Sequence, residues 1–222
     1  MEIKVLKDIL GANDQIAAKN RELLDGHKVF AVNIMASPGA GKTSVVLQTI
    51  RALKDKVKIG VIEGDIASSI DAETVAKEGV PVVQINTGGE CHLEAFQIQN
   101  ALNNMPLADI DLLLIENVGN LVCPAEFSIG EDLKVLIASV PEGDDKPYKY
   151  PLMFNTVDVI VLNKIDLLPY VKFNVDGFTK TVKNINTKVE LFKVSCTTGE
   201  GIQPWAKWLH AQIRLLKKDV SL

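Results

Sequence analysis

The sequence ASPGAGKT at residues 36–43 decides the fold expected for this chain. It follows an apolar run at Phe30–Met35 and precedes a helical pattern at Ser44–Leu53, so it joins a predicted strand to a predicted helix. A loop of small residues in this setting can turn its backbone N–H groups towards a phosphate, and the helix N-terminus adds partial positive charge. The stretch therefore predicts a phosphate-binding loop.

The residues of this loop have separate expected roles. Nucleotide contacts are predicted for Pro38, Gly39, Ala40, Gly41, Lys42, Thr43 and Ser44. Lys42 is expected to act in catalysis by reaching the β- and γ-phosphates, and the Thr43 hydroxyl to bind Mg²⁺. Ala36 stands where this motif usually has glycine, so its backbone is expected to keep a negative φ. The alternative is an ordinary connection between a strand and a helix.

Composition and charge disfavour several classes of protein. The 222 residues suffice for one sizeable core, which predicts a single domain. With 24 basic and 28 acidic residues, a net charge of −4 and no basic cluster, nucleic-acid binding is not expected. No apolar run approaches the roughly 18 residues of a membrane span, and charges interrupt the start of the chain, unlike a signal peptide. Three cysteines do not make a disulfide framework, so we expect a reduced, cytoplasmic protein.

Seven runs rich in Val, Ile and Leu predict strands, most of them buried on both faces. They lie at Val29–Met35, Val57–Glu63, Val82–Ile85, Leu112–Ile115, Val135–Val140, Val157–Leu162 and Val189–Val194. Helical patterns lie between many of them, and the pattern at residues 1–26 predicts a helical amino-terminal extension. This alternation predicts an α/β, three-layer P-loop NTPase fold with a mostly parallel sheet flanked by helices. Ligands of such sheets bind beyond the carboxyl ends of the strands.

A second motif, Asn163-Lys164-Ile165-Asp166, ends the sixth predicted strand. The Asp166 carboxylate can accept from the N1 and N2 donors of guanine, a pair that adenine lacks, so the motif predicts guanine specificity. Asn163 is expected to brace the base loop and Lys164 to cover the ring. Ser195 and Cys196 follow the next strand, where a backbone N–H usually meets the guanine carbonyl, and Cys196 is expected to pack rather than to bind a metal. The alternative is a polar turn.

Two acidic residues are expected at the same edge of the sheet. Glu116, in the sequence Glu-Asn-Val-Gly, occupies the position of a carboxylate that holds Mg²⁺ through water, and Gly119 would offer its N–H to the γ-phosphate. Asp65, at the end of the second strand, is assigned both to Mg²⁺ and to orienting the attacking water. Both could instead be solvated carboxylates at strand ends.

A possible metal site combines Cys91 and His92, which follow the third strand, with Cys123, which follows the fourth. Neighbouring parallel strands deliver their carboxyl ends to one edge, so the three side chains can meet there. Thiolate and imidazole suit Ni²⁺ or Zn²⁺ far better than Mg²⁺, and three ligands leave a position open for a metal that is handed on. On spacing alone, ordinary core residues remain the alternative.

These motifs together resemble the HypB family, the GTPases that help to insert nickel into nickel–iron hydrogenases. The resemblance runs over nearly the whole chain and is most specific in Glu90-Cys91-His92 and in the segment Glu116–Pro124. It also covers Glu142–Lys146, with Lys149–Pro151. It implies a single GTPase domain, residues 1–222, that binds GTP or GDP with Mg²⁺.

The resemblance also implies partners. It implies a homodimer formed on GTP binding, in which Cys91, His92 and Cys123 of two chains meet around Ni²⁺ or Zn²⁺, and in which Lys149 of one chain reaches the γ-phosphate held by the other as a catalytic residue. Nickel-maturation proteins and a hydrogenase large subunit are the implied partners. The Cys-x-x-Cys motif and the histidine-rich segment of many bacterial members are absent from this sequence, so high-affinity nickel storage by the amino terminus is not expected.

Three other functions stay open at this point. A urease-maturation GTPase is the nearest of these. That family has a Cys-Pro-His metal motif, whereas in this sequence Cys91 is followed directly by His92. A module that binds nucleotide and metal without turnover belongs to another class. A GTPase that assists a cobalamin enzyme would be expected to lack the pair Cys91 and Cys123.

Overall fold

The computed structural model describes residues 9–66 and 69–219. Strands and helices alternate along this part of the chain, as the sequence predicts. The strands are β1 Phe30–Ala36, β2 Ile59–Asp65, β3 Val82–Asn86, β4 Leu112–Glu116, β5 Leu133–Ser139, β6 Val159–Asn163 and β7 Glu190–Lys193. The helices are α1 Ile9–His27, α2 Lys42–Leu53, α3 Ile70–Ala76, α4 Ala95–Leu102, α5 Lys146–Lys149, α6 Pro151–Thr156, α7 Val175–Ile185 and α8 Ile202–Asp219.

The strands form one sheet in the order β3-β2-β4-β1-β5-β6-β7, and every neighbouring pair is parallel. The predicted α/β fold of the P-loop NTPase type is therefore confirmed. Each of the seven predicted runs overlaps one strand of the sheet. The predicted bounds differ most for β2, which begins and ends two residues later than its predicted run, and the sequence interpretation did not identify the short helices α5 and α6.

The sheet is covered on both faces because its side chains alternate between two apolar layers. Val32 and Ile34 point into a core shared with α2 and α8, where Trp205 is almost fully buried and donates through Nε1 to Thr49 Oγ1 at 2.9 Å. Ala31 and Met35 point to the opposite face, which α1, α4, α6 and α7 cover. The carboxyl ends of the strands are left for ligands.

The amino-terminal helix belongs to the outer layer. The part of the predicted extension that is described forms α1, which packs against α4; residues 1–8 lie outside the described residues. Two buried asparagines on α1, Asn13 and Asn20, make hydrogen bonds to the chain at Ala95 and near Ile129. None of the helices in the described ranges combines the length and apolar character that a bilayer crossing requires.

Candidate functional site

The phosphate loop forms between the end of β1 and the start of α2. Its tight path depends on Gly39 and Gly41, whose φ angles are 77° and 96°, values that favour glycine. Ala36 is still part of β1 and is not among the described non-glycine residues with positive φ, as expected. Helix α2 begins at Lys42, two residues before the predicted start, so its free N–H groups face the loop. Thr43 lies within this first turn.

The base motif is joined directly to the phosphate loop. Asn163 Nδ2 donates to the carbonyl of Ala40 at 3.1 Å, and Lys164 Nζ donates to the carbonyl of Gly39 at 2.7 Å. A Cβ added at Gly41 would lie 2.5 Å from Asn163 Nδ2, so glycine is required there for this close approach as well. The phosphate end and the base end of the predicted nucleotide site are thus packed as one unit.

The remaining base residues surround Asp166. Ser195 Oγ donates to Asp166 Oδ1 at 2.6 Å, which orients the carboxylate, while Asp166 stays partly exposed. The backbone N–H of Cys196 lies 3.4 Å from Asn163 Oδ1, and the half-buried side chain packs against the core shared with α2 and α8. Burial raises the pKa of the Cys196 thiol to about 11, which favours a packed thiol over a thiolate ligand.

A cleft of about 270 Å³ lies beside the phosphate loop. Lys42, Gly119 and the predicted acidic residues Asp65 and Glu116 line it, so the structure brings these residues together. Thr43 Oγ1 donates to Glu116 Oε1 at 2.9 Å. The other oxygen, Glu116 Oε2, is buried and has no hydrogen-bond partner among the described residues.

Two further carboxylates line this cleft, Glu63 and Asp71, and sequence reasoning missed both. Glu63 is 3% exposed on β2, opposite Glu116 on β4, and its Oε1 has no hydrogen-bond partner in the described ranges. The available signal was its position two residues before Asp65, which points its side chain to the same face of the strand. Asp71 lies in the first turn of α3.

Burial controls the charge of the two facing glutamates. It raises the pKa of Glu63 to about 10, with the charge of Glu116 as the next cause. It also raises the pKa of Glu116 to about 7, an effect that Lys42 and the Thr43 hydroxyl oppose. Glu116 is a hard oxygen donor next to the Thr43 hydroxyl, and this pair fits a hard dication such as Mg²⁺.

Cys91, His92 and Cys123 form a second cluster at this edge of the sheet. Their ligand atoms all lie within 4.8 Å of one another, with the two sulfurs 3.0 Å apart and Cys91 Sγ 3.6 Å from His92 Nδ1. Both thiols are free, and the nearby Cys123 thiol raises the pKa of Cys91. The predicted constellation therefore assembles within one chain.

The surroundings of this cluster suit a metal that enters and leaves. Cys91 is exposed and Cys123 is half-buried, so the sulfurs are accessible. The His92 ring packs on Phe127 at 4.3 Å between centroids, which limits its rotation, and its Nε2 is buried without a hydrogen-bond partner among the described residues. Two sulfurs and one imidazole are a soft donor set that suits Ni²⁺ or Zn²⁺ and leaves a position open.

Lys149 is the one predicted catalytic residue that does not line the cleft within this chain. It ends α5, its side chain is 59% exposed, and its ammonium pairs with Asp145. An exposed lysine with one surface ion pair can change partner at small energetic cost, because such pairs contribute little to stability.

Comparison with known proteins identifies the family. Residues 30–193 match the model described as "CobW/HypB/UreG, nucleotide-binding domain". The hydrogenase maturation factor HypB of Escherichia coli is 43% identical over 212 residues, which cover 96% of this chain and 72% of that protein.

Solved structures agree with this match. HypB from Archaeoglobus fulgidus superposes with a TM-score of 0.86 at 41% identity, covering 92% of this chain and 100% of that one. HypB from Helicobacter pylori in complex with nickel superposes with a TM-score of 0.87 at 35% identity, covering 91% of this chain and 95% of that one. The resemblance inferred from the motifs is confirmed, and the chain belongs to the HypB hydrogenase maturation factors of the CobW/HypB/UreG family.

Proposed function

We propose that this chain is a GTP-hydrolysing metallochaperone that handles nickel during the maturation of nickel–iron hydrogenase. The observation that carries the proposal is the shared segment between the two sites. Glu116 and Gly119 line the phosphate cleft, and Cys123 belongs to the Cys/His cluster, so eight consecutive residues of the chain serve both. A displacement of Gly119 at the γ-phosphate can therefore reach the Cys123 thiol through a short stretch of backbone.

The residues of the phosphate cleft and the base motif bind and hydrolyse GTP in this proposal. Lys42 neutralises the β- and γ-phosphates, Gly119 donates its N–H to the γ-phosphate, and Asp65 orients the attacking water. Asp166 selects guanine, with its carboxylate oriented by Ser195. Thr43 and Glu116 would hold Mg²⁺, with Asp65 as a further ligand. When bound, that ion would supply positive charge to the phosphate oxygens.

Nickel is the cargo of the Cys/His cluster in this proposal. Cys91, His92 and Cys123 bind it through two sulfurs and one imidazole, and the open coordination position allows transfer to a partner. We further propose that GTP favours a homodimer in which Lys149 of one chain reaches the γ-phosphate of the other, so that hydrolysis removes the charge that holds the dimer together. Zn²⁺ is the competing cargo, and a maturation protein or the hydrogenase large subunit would receive the metal.

The experiment that tests the enzymatic half measures phosphate release from GTP with and without Mg²⁺. We expect slow release by the wild type that requires Mg²⁺, and loss of release in Lys42→Ala. Lys207→Ala, at an exposed lysine on α8, is the matched control and should retain the wild-type rate. Release no greater than a protein-free blank would favour the alternative, a module that binds nucleotide and metal without turnover. We also propose a cytoplasmic location, which is supported by three cysteines that are too few and too uneven in number for a disulfide framework.

A further inference from the structure

Two asparagines, Asn117 and Asn120, flank Gly119 in the segment that joins the phosphate cleft to Cys123. Both use their side-chain amides to contact the other metal-bearing segment, the one that carries Cys91 and His92. Neither contact was expected from the sequence, where the two residues were only part of the motif around Gly119. Their hydrogen bonds identify how the two segments are held together.

Asn117 makes the buried connection. Its side chain is 1% exposed, and its Oδ1 accepts from the N–H of Leu93 at 2.9 Å and from the N–H of Val118 at 2.9 Å. Its Nδ2 donates to Asn33 Oδ1 on β1 at 3.1 Å. One carboxamide oxygen is therefore shared between the residue that follows His92 and the residue that precedes Gly119.

Asn120 makes the second connection, closer to the thiols. Its Nδ2 donates to the carbonyl oxygen of Cys91 at 3.3 Å, and its Oδ1 accepts from the N–H of Val122 at 2.9 Å. Val122 directly precedes Cys123. Asn120 thus joins the backbone of one metal-bearing cysteine to the backbone next to the other.

The nucleotide side of this arrangement is equally close. A Cβ added at Gly119 would lie 3.1 Å from the backbone nitrogen of Pro38, so Gly119 rests against the phosphate loop. A Cβ added at Gly64, next to Asp65, would lie 2.7 Å from the side chain of Leu93. Groups at the phosphate cleft therefore contact both metal-bearing segments, and tight packing transmits small displacements between them.

We propose that Asn117 and Asn120 are positioning residues that couple the nucleotide at Gly119 to the geometry of the nickel site. A shift of Gly119 towards a γ-phosphate moves the two asparagines, and these move the backbone of Cys91 and Leu93 relative to Cys123. Nickel affinity then differs between the GDP and GTP states. By linkage, nickel changes the ratio of GTP affinity to GDP affinity by the same factor. The inference rests on the proposed function and names the residues that couple its nucleotide site to its nickel site.

The test measures the Kd for Ni²⁺ anaerobically with excess GDP and with a non-hydrolysable GTP analogue, and takes the ratio of the two values. For the wild type we expect a ratio of about fivefold or more in either direction. Asn120→Ala removes a partly exposed side chain and is expected to fold, and its ratio should approach one. Asn117→Ser should do the same, with thermal melting used to check that this buried variant is folded.

Asn104→Ala is the matched control, because Asn104 is exposed just after α4 and its Nδ2 donates to the carbonyl of Asn100 in that helix at 2.8 Å. It should retain the wild-type ratio. If Asn120→Ala weakens nickel binding equally in both nucleotide states, or keeps the wild-type ratio, the inference is wrong while the nickel-handling function stands. A wild-type ratio of one would overturn the inference and leave GTP hydrolysis and nickel binding, the two halves of the proposed function, standing.

Discussion

Glu63 and Glu116 stand opposite each other in register on β2 and β4, and both carboxyl side chains are buried at the floor of the phosphate cleft. Two facing acids in an apolar sheet are costly for folding unless a proton or a cation compensates them. Lys42 and the Thr43 hydroxyl lower the pKa of Glu116 and so oppose the effect of burial there. Burial is the largest cause of the raised pKa of Glu63. The pair has a measurable consequence for stability.

Glu63→Gln should change how stability depends on pH in the nucleotide-free protein with a metal chelator present. The pKa of Glu63 rises from 4.5 to about 10 on folding, so the folded state keeps a proton that the unfolded state loses. Wild-type stability should fall as pH rises through this range, whereas glutamine does not titrate. We expect the variant to be more stable by roughly 1 kcal/mol or more at pH 8.

Urea unfolding at pH 5, 7 and 9 measures this difference. Glu126→Gln, which changes an exposed glutamate, should retain the pH dependence of the wild type. Equal pH dependence for Glu63→Gln and the wild type would show that Glu63 is not held protonated in the folded chain.

Asp166→Asn should change base selection. The amide presents a donor where the guanine N1 and N2 groups need an acceptor, so GTP affinity should fall by about a hundredfold or more. Xanthosine triphosphate, which has a carbonyl oxygen at C2, should bind this variant better than it binds the wild type. Competition with a fluorescent nucleotide measures both affinities. Asp176→Asn on α7 is the control, and unchanged GTP affinity in Asp166→Asn would refute the assignment.

Lys149 and Lys42 offer a test of catalysis across two chains. Lys42→Ala and Lys149→Ala should each hydrolyse GTP at least about a hundredfold more slowly than the wild type, because each removes a positive charge from the transition state. Mixing them should restore activity, since a mixed dimer has one site with both lysines. Phosphate release from the mixture, compared with each variant alone, is the measurement. A mixture no faster than its components would argue against a contribution from the second chain.

Asn20→Ala should destabilise the chain by about 1–3 kcal/mol. Asn20 is 1% exposed, and its Nδ2 donates to the carbonyls of Ala95 at 2.8 Å and Ile129 at 3.1 Å, both of which would lose a donor. The free energy of unfolding in urea measures the loss, with the exposed Asn104→Ala as control. A loss within error of that control would mean that α1 is not held to the domain by this residue.

Much of the fold follows from the sequence because the buried strands are recognisable as short apolar runs. Runs such as Leu112–Ile115 are apolar at every position, which is typical of a strand covered on both faces, and each of the seven runs overlaps a strand of the sheet. The phosphate loop and the base motif are local in sequence, so their position at strand ends was predictable. The contact of Asn163 with the loop was predictable only as a brace, without its partners.

The features that sequence reasoning missed depend on pairing between distant segments. Glu63 faces Glu116 only because β2 pairs with β4 in a particular register, which composition does not reveal. Asn117, which follows β4, accepts a hydrogen bond from the N–H of Leu93, which precedes α4. Asn20 on α1 donates to the carbonyl of Ala95 on α4. These polar side chains look like ordinary loop or helix residues until the tertiary structure buries them.

The central claim, a nickel site next to the nucleotide cleft, is tested most directly by anaerobic nickel titration of the wild type, Cys91→Ala, Cys123→Ala and Cys196→Ala. Absorption from thiolate-to-nickel charge transfer and the fitted Kd are the readouts. We expect that Cys91→Ala and Cys123→Ala each lose that absorption and bind nickel more than about tenfold more weakly, while Cys196→Ala matches the wild type. Nickel binding by Cys91→Ala and Cys123→Ala that equals the wild type would contradict it.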